Sequence, residues 1–411
     1  MSGYITNCLH CLGQDLELIL DLGFHEPCDS LPSKEELDGP IARYPLKLVF
    51  CRTCHLVQIN YVVPKEILFH KQYPYRSGIT QSLVENLHKT AKTVLESYDF
   101  DKESLVVDIG SNDGSLLSGF KKSGMAVLGV EASDIARIAN ESGIETIQDF
   151  FSDALAKEIR SKFGAAKIIT ATNVFAHISD TTSIMRGIDY LLDKNGIFVS
   201  ESHYLLDLLD YNQFDSIYHE HLKYYSVSSI EYLLNLYDYE IVKVERIKNY
   251  GGSIRVYSSR KGDRKVDNSV SDIKKLEKEF GISQVKTFVK FKDRVEKIAK
   301  EISKTVTDIN HQNKTIVGVG APGRSSTLLS YCGININMLP VVYEQETSLK
   351  LNKYTPTSHI PIKSERELLL NQPDYVLLLS WHYSESIIQK LRNKGLTSKI
   401  IVPLPEVRII D

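Results

Sequence analysis

Asp215-Ser-Ile-Tyr-His-Glu-His-Leu-Lys-Tyr-Tyr225 is the densest run of titratable side chains in the sequence. Tyr218, His219, Glu220 and His221 occupy four consecutive positions. A histidine, with an ordinary pKa near ~6.5, is matched to proton transfer at neutral pH. Glu220, ordinarily near ~4.3, is a weaker base unless buried and stands as the rival to His221. One histidine alone reads as structural, but four such side chains together argue for a site. A metal held by the His-Glu-His run with nearby His203 is the weaker reading, because no other His or carboxylate cluster has helical ligand spacing. The run follows the strand-like GIFVSESHY, where α/β folds collect ligands.

Val106-Val-Asp-Ile-Gly-Ser-Asn-Asp-Gly-Ser-Leu-Leu117 reads as a buried strand, a Gly-bearing loop and a helix start. Asp108 ends the strand, and Gly110 and Gly114 let the backbone approach a ligand and turn sharply. Asn112 takes the middle place of a GxGxG form. About 20 residues on, Glu131 ends the next strand, placed to accept hydrogen bonds from both ribose hydroxyls of a nucleoside. A dinucleotide loop wants G-x-G-x-x-G and a helix N-terminus for pyrophosphate. Here Ser115 replaces the last glycine, and Asp113 would repel a pyrophosphate. An acid suits the ammonium of S-adenosylmethionine (SAM). Asp149 and Phe150, where a third strand ends, are placed for the adenine amino group and ring.

Cys8-x-x-Cys11 and Cys51-x-x-Cys54 make two CxxC pairs. Each can grip one tetrahedral metal, and together they form a closed four-thiolate site that suits structural zinc. Cys28 and Cys332 read as spare thiols. A second glycine loop, Gly318-Val-Gly-Ala-Pro-Gly323, fits G-x-G-x-x-G, with Glu344 ending the next strand. Alone it reads as an NAD site and supports a runner-up, an NAD-dependent oxidoreductase, whose substrate would be a sugar nucleotide only by the resemblance given below. Against that, Pro322 removes a backbone donor where a phosphate would sit. Arg324, Arg255, Lys350 and Lys353 are candidates to meet a diphosphate; for each lysine, plain surface charge is an equal reading.

The elements that must position these residues follow from pattern. Leu83, Leu87, Ala91, Val94 and Leu95 recur at helical spacing over about 75–100. SLVVDIG, AVLGVEAS, KIITATNVF and GIFVSESHY alternate with helical patterns, the signature of a doubly wound sheet. GGSIRVYSS reads as the first strand of another α/β unit, followed by a charged linker, RKGDRKVDNSVSD. Phe288, Phe291, Val295, Ile298, Ile302, Val306 and Ile309 then mark one long amphipathic helix. The expected fold is α/β: a Rossmann-like SAM-binding doubly wound sheet (71–245), flanked by an N-terminal four-cysteine zinc module (1–70) and a C-terminal α/β domain (246–411). A length of 411 residues accommodates three domains. A net charge of -3 offers no basic field to nucleic acid. No apolar run is long enough to span a membrane, and the N-terminus does not read as a signal peptide. A cytoplasmic enzyme is expected, monomeric or a small homo-oligomer.

Taken together these motifs resemble the sugar-nucleotide C-methyltransferases of deoxysugar biosynthesis. The resemblance covers nearly the whole chain. It rests on the paired CxxC motifs, Tyr73-Pro-Tyr75-Arg-Ser-Gly, VVDIGSNDGSLL, Asn173-Val-Phe-Ala-His177, Tyr218-His-Glu-His221, Gly251-Gly-Ser-Ile-Arg255, GVGAPGRSSTLLSYCG and Ser358-His-Ile-Pro-Ile362. It implies methylation, by SAM, of a carbon next to the ketone of a 4-keto-6-deoxyhexose nucleotide (dTDP- or GDP-linked), with C-3 favoured over C-5. By the resemblance His221 is the base, Tyr218 contacts the sugar or holds the enolate, and Glu220 orients His221 or fixes the sugar. His177 and Tyr75 line the pocket, Tyr73 joins the substrate contacts, and Asn173 lies beside the cofactor. Two departures fall in the C-terminal half: family members often read His where Tyr250 stands, and Lys near Gly323-Arg324. A third class, a non-catalytic zinc-ribbon interaction protein on a dead methyltransferase scaffold, is disfavoured by the intact SAM loop and YHEH run.

Overall fold

The computed structural model describes residues 2–69, 78 and 81–411. Tyr73 and Tyr75 lie outside the described residues.

The central sheet has seven strands. Leu105–Ile109, Ala126–Val130, Thr146–Ile147, Ala166–Thr172 and Leu192–His203 run parallel, with Leu105–Ile109 and Ala166–Thr172 adjacent in the middle. Val106, Val107, Ile168, Ile169, Ile197 and Val199 are all buried, which is why these strands read as unbroken apolar runs. Strand order reverses between the first and fourth of these strands, and such a switch point opens a crevice at the strands' carboxyl ends.

Two further strands complete the sheet. Ser253–Arg260 pairs antiparallel with both Leu192–His203 and Tyr239–Ile247. GGSIRVYSS, expected as the first strand of a separate α/β sheet, is therefore paired into the central one. Its register sets Arg255 opposite Glu201, a pairing across strands that no local pattern announces. The charged linker is also shorter than expected: Asp267 caps a helix, Asn268–Phe280, through Ser269.

The helix expected near 75–100 runs over Gln81–Ser97 and lies against helix Ser115–Lys122, where His88 Nε2 meets Ser118 Oγ at 2.8 Å. The long amphipathic helix spans Val285–His311, and every apolar residue assigned to its face is buried. Beyond it, five parallel strands (Ile316–Val319, Val342–Glu344, Ile362–Ser364, Tyr375–Leu378, Lys399–Val402) and antiparallel Arg408–Ile410 form a six-stranded sheet.

The N-terminal module is an antiparallel sheet of Leu16–His25, Tyr44–Cys51 and Val57–Ile59. Its fourth strand, Lys223–Tyr224, comes from the chain just after His221. Phe50 of the module packs on Phe288 of the long helix, ring centroids 4.7 Å apart. One apolar core thus joins all three parts around the 215–225 segment.

Candidate active site

The four sulfurs of Cys8, Cys11, Cys51 and Cys54 lie within 4.8 Å of one another. Thiolates bound at ~2.3 Å around a tetrahedral zinc lie ~3.8 Å apart, so the donor set fits that ion. Both knuckles are built alike. The residue after each second cysteine, Leu12 and His55, has positive φ, and its N–H donates to the carbonyl of the pair's first cysteine. All four positions are taken by protein sulfur, so such a site is closed and structural.

The SAM loop sits at the switch-point crevice. Gly110 has φ +69°, and a Cβ there would run into Val174; Gly114, at φ +78°, is pressed on Ile144. Asp108 is buried, accepts a 2.5 Å bond from Thr170 Oγ1, and is pushed up to about 7 by burial. Glu131 accepts from the Asn112 N–H at 3.0 Å and from Ser133 N–H and Oγ. These bonds fix a carboxylate beside the loop; each of its oxygens has two lone pairs, so it can also accept from ribose hydroxyls. Asp113 accepts from the N–H groups of Gly78 and Ser115 and from Ser115 Oγ. Asn173, at φ +56°, follows strand Ala166–Thr172 on the other side of the crevice. Asp149 accepts from the Phe150 N–H, and Lys65 Nζ sits 3.7 Å from the centroid of the Phe150 ring. The loop, paired acids and crevice fit an aminoacyl nucleoside.

The histidines gather at the adjoining strand ends. His221 is buried; its Nδ1 lies 3.0 Å from the Ser216 carbonyl and its Nε2 lies 2.9 Å from Tyr218 Oη. A carbonyl can only accept, so the proton is on Nδ1 and Nε2 presents a lone pair. Ring centroids of His203 and His177 lie 4.6 and 5.0 Å from that of His221. Burial, then His203 and His177, hold His221 well below the ordinary histidine range. Burial also lowers His177 to about 4 and His203 to about 3, and pushes the Tyr218 phenol well up. The cluster is therefore a neutral base beside a protonated phenol.

His219 turns the other way, Nε2 to the Pro45 carbonyl at 3.2 Å, so the His-Glu-His run does not converge on a metal. Nor does Glu220 orient His221, since both ring nitrogens have other partners. Its Oε1 instead accepts from the Cys28 thiol at 3.2 Å, so Cys28 is not a spare thiol.

Three expected diphosphate contacts are committed elsewhere. Arg255 is buried against Glu201 (2.7 Å), Glu245 (3.2 Å) and Thr90 (2.7 Å). Lys350 binds Asp29 at 2.9 Å and the Ala321 carbonyl at 3.1 Å. Arg324 is buried against Asp215, Gln213, Ser216 and the Tyr250 carbonyl. Lys353 is half-buried on the segment after Lys350. Sequence assigned no role to Asp215 and Ser216, at the head of the titratable run, or to Trp381, which bears no motif.

Fold and site together define a SAM-dependent methyltransferase carrying a structural zinc module. Residues 75–244 match the family described as "Methyltransferase domain", residues 8–69 the "Putative zinc binding domain", and residues 248–405 the "C-methyltransferase C-terminal domain". The chain is 33% identical over 413 residues to the C-methyltransferase NovU of Streptomyces niveus, covering 99% of this chain and 97% of that one. The chain belongs to this C-methyltransferase family. Solved structures similar to it include a SAM-dependent methyltransferase from Anabaena variabilis (17% identity, TM-score 0.35, 43% of this chain and 86% of that one). Another is the magnesium protoporphyrin IX methyltransferase of Synechocystis with bound SAM (13%, TM-score 0.33, 43% and 79%). The Gly318–Gly323 loop thus falls within a C-methyltransferase domain, and the oxidoreductase reading is withdrawn. Among the described residues no helix is long and apolar enough to cross a membrane.

Proposed function

We propose that the protein methylates the carbon next to the ketone of a 4-keto-6-deoxyhexose nucleotide, dTDP- or GDP-linked, with C-3 favoured. The observation that carries this reading is the buried His221, whose Nε2 lone pair faces the Tyr218 hydroxyl. A C–H beside a ketone is a weak acid, and carbon methylation there needs its proton removed first. His221 Nε2 takes that proton, and the electron pair moves onto the ketone oxygen as an enolate. Tyr218, which burial keeps protonated, turns its O–H from Nε2 to that oxygen. His177 lines the pocket, Tyr73 and Tyr75 contact the sugar, and Glu220 fixes it.

Bound at the Gly110–Gly114 loop, SAM supplies a methyl made electrophilic by a positive sulfur. Glu131 holds the ribose, Asp113 the ammonium, and Asp149 and Phe150 the adenine. Zinc keeps the N-terminal module folded.

The test is hydrogen–deuterium exchange into dTDP- and GDP-linked 4-keto-6-deoxyhexoses, read by NMR, beside methyl transfer. Wild type should exchange and methylate one C–H on one nucleotide. His221→Asn should lose both by ~10²–10⁴-fold while binding SAM normally. Undiminished exchange and methylation by His221→Asn would overturn the reading.

A further inference from the structure

The proton on His221 Nδ1 is held by one backbone carbonyl, that of Ser216. Ser216 ends a short turn, Phe214–Ser216; its N–H donates to the Gln213 carbonyl at 3.0 Å, and its own carbonyl also accepts from Tyr224 Oη at 3.3 Å. Its side chain and its two neighbours are held from the C-terminal domain. The Arg324 guanidinium, at the start of helix Arg324–Tyr331, donates to Gln213 Oε1 at 2.9 Å and to Ser216 Oγ, and pairs with Asp215 at 3.1 Å. On its other side it reaches the Tyr250 carbonyl at 3.3 Å. Thr327, one turn along the helix, donates to the Ile217 carbonyl at 2.8 Å. Trp381 Nε1 donates to Asp215 Oδ2 at 2.7 Å.

We infer that Arg324 is a positioning residue for the base: by clamping Gln213 to Ser216 it keeps the Ser216 carbonyl on His221 Nδ1, so that Nε2 stays bare. A planar fork of five donors can hold several acceptors at once, and an ammonium cannot match that geometry. Arg324 and Asp215 are both nearly inaccessible, with side chains 7% and 0% exposed. A buried pair of this kind stabilises weakly against an apolar replacement, and specifying one arrangement is its better-attested use. The C-terminal domain thereby completes a base that belongs, by sequence, to the methyltransferase domain.

This inference rests on the assignment of His221 as base, and its test separates the two. Full-length, zinc-loaded protein with ¹⁵N-labelled histidine is studied with S-adenosylhomocysteine bound, at neutral pH. His221 signals are identified by their loss in His221→Asn. Wild type should show one tautomer, with Nδ1 protonated and Nε2 bare. Arg324→Ala and Arg324→Lys should show averaged nitrogens, with S-adenosylhomocysteine affinity retained. Methyl transfer should fall by up to ~10²-fold, the cost of a misplaced catalytic group. An unchanged His221 spectrum in Arg324→Lys overturns the inference, and that variant decides the matter if Arg324→Ala does not fold. A mixed tautomer with undiminished methyl transfer upholds the clamp and removes His221 as base.

Discussion

The Tyr218 hydroxyl donates to Nε2 of His221 over 2.9 Å, the one ring nitrogen that the Ser216 carbonyl leaves bare. Tyr218 therefore marks where the base points. Tyr218→Phe keeps the ring and its packing but removes the donor for an enolate oxygen. Loss of one such donor costs ~10²–10³-fold in kcat. That fall is expected in steady-state kinetics with an unaltered SAM affinity by calorimetry. Full kcat in Tyr218→Phe would leave the phenol no chemical role.

The zinc module is tied to the base by backbone. Lys223 and Tyr224 pair with Gln58 and Val57, and the Ile59 N–H donates to the Leu222 carbonyl at 3.0 Å. Metal binding to such a module is part of its folding free energy. Cys51→Ser should lose zinc by elemental analysis, lower the melting temperature and abolish methyl transfer, because the strand anchoring His221 loses its partner. Zinc-free Cys51→Ser with the wild-type rate would show the two sites to be independent.

The two glycine loops share a device. The Asn112 N–H donates to Glu131 at 3.0 Å, and the Ala321 N–H donates to Glu344 at 2.7 Å. Only the first acid lies at the SAM crevice. Hydrogen bonds to a charged group are worth about 1.5–3 kcal/mol, so Glu131→Gln should weaken SAM binding by ~10- to 100-fold. Glu344→Gln should leave it unchanged. Calorimetry on both variants checks this, and equal losses would misplace the cofactor.

The SAM loop and the zinc knuckles were legible because their chemistry is local: a turn, a left-handed residue, a pair of thiols. His221 was legible as a titratable residue at a strand end. What orients it was not, since Arg324 lies 109 positions from Asp215, and Trp381 lies 166. The antiparallel strand Ser253–Arg260 escaped for a related reason. Its apolar run is the same whether it opens a new sheet or inserts into an old one, and only long-range pairing decides. Arg255 was misread with it.

Arg255 illustrates what that misreading costs. Its guanidinium binds Glu201 through Nε at 2.9 Å and through a terminal nitrogen at 2.7 Å, with side-chain exposures of 5% and 4%. Removing one partner of a buried pair leaves an uncompensated charge and costs about 3–5 kcal/mol. Arg255→Ala should unfold at lower denaturant by that amount, while protein that remains folded keeps its KM for the sugar nucleotide. A raised KM with unaltered stability would return Arg255 to the substrate site.

The histidine cluster gives a signed pH dependence. Burial, aided by the Lys223 charge, lowers His177 to about 4. Burial, then Arg324 and His177, lower His203 to about 3. His221 is lowered in the same direction by burial, His203, His177 and Arg324, against the opposing Ser216 bond. In the unfolded chain each returns to about 6.5. Between that value and the folded one the unfolded state binds more protons, so stability rises with pH there. It is fully present above about pH 6.5 and is lost progressively as pH falls towards 4. Calorimetric melting across this window should show Tm falling on the acid side, with a shallower slope in His203→Gln. The base stays neutral in the folded protein, so kcat/KM should show no acid limb near 6.5 while the protein remains folded. A simple titration of activity at that pH would mean that the base is solvated rather than buried among His177 and His203.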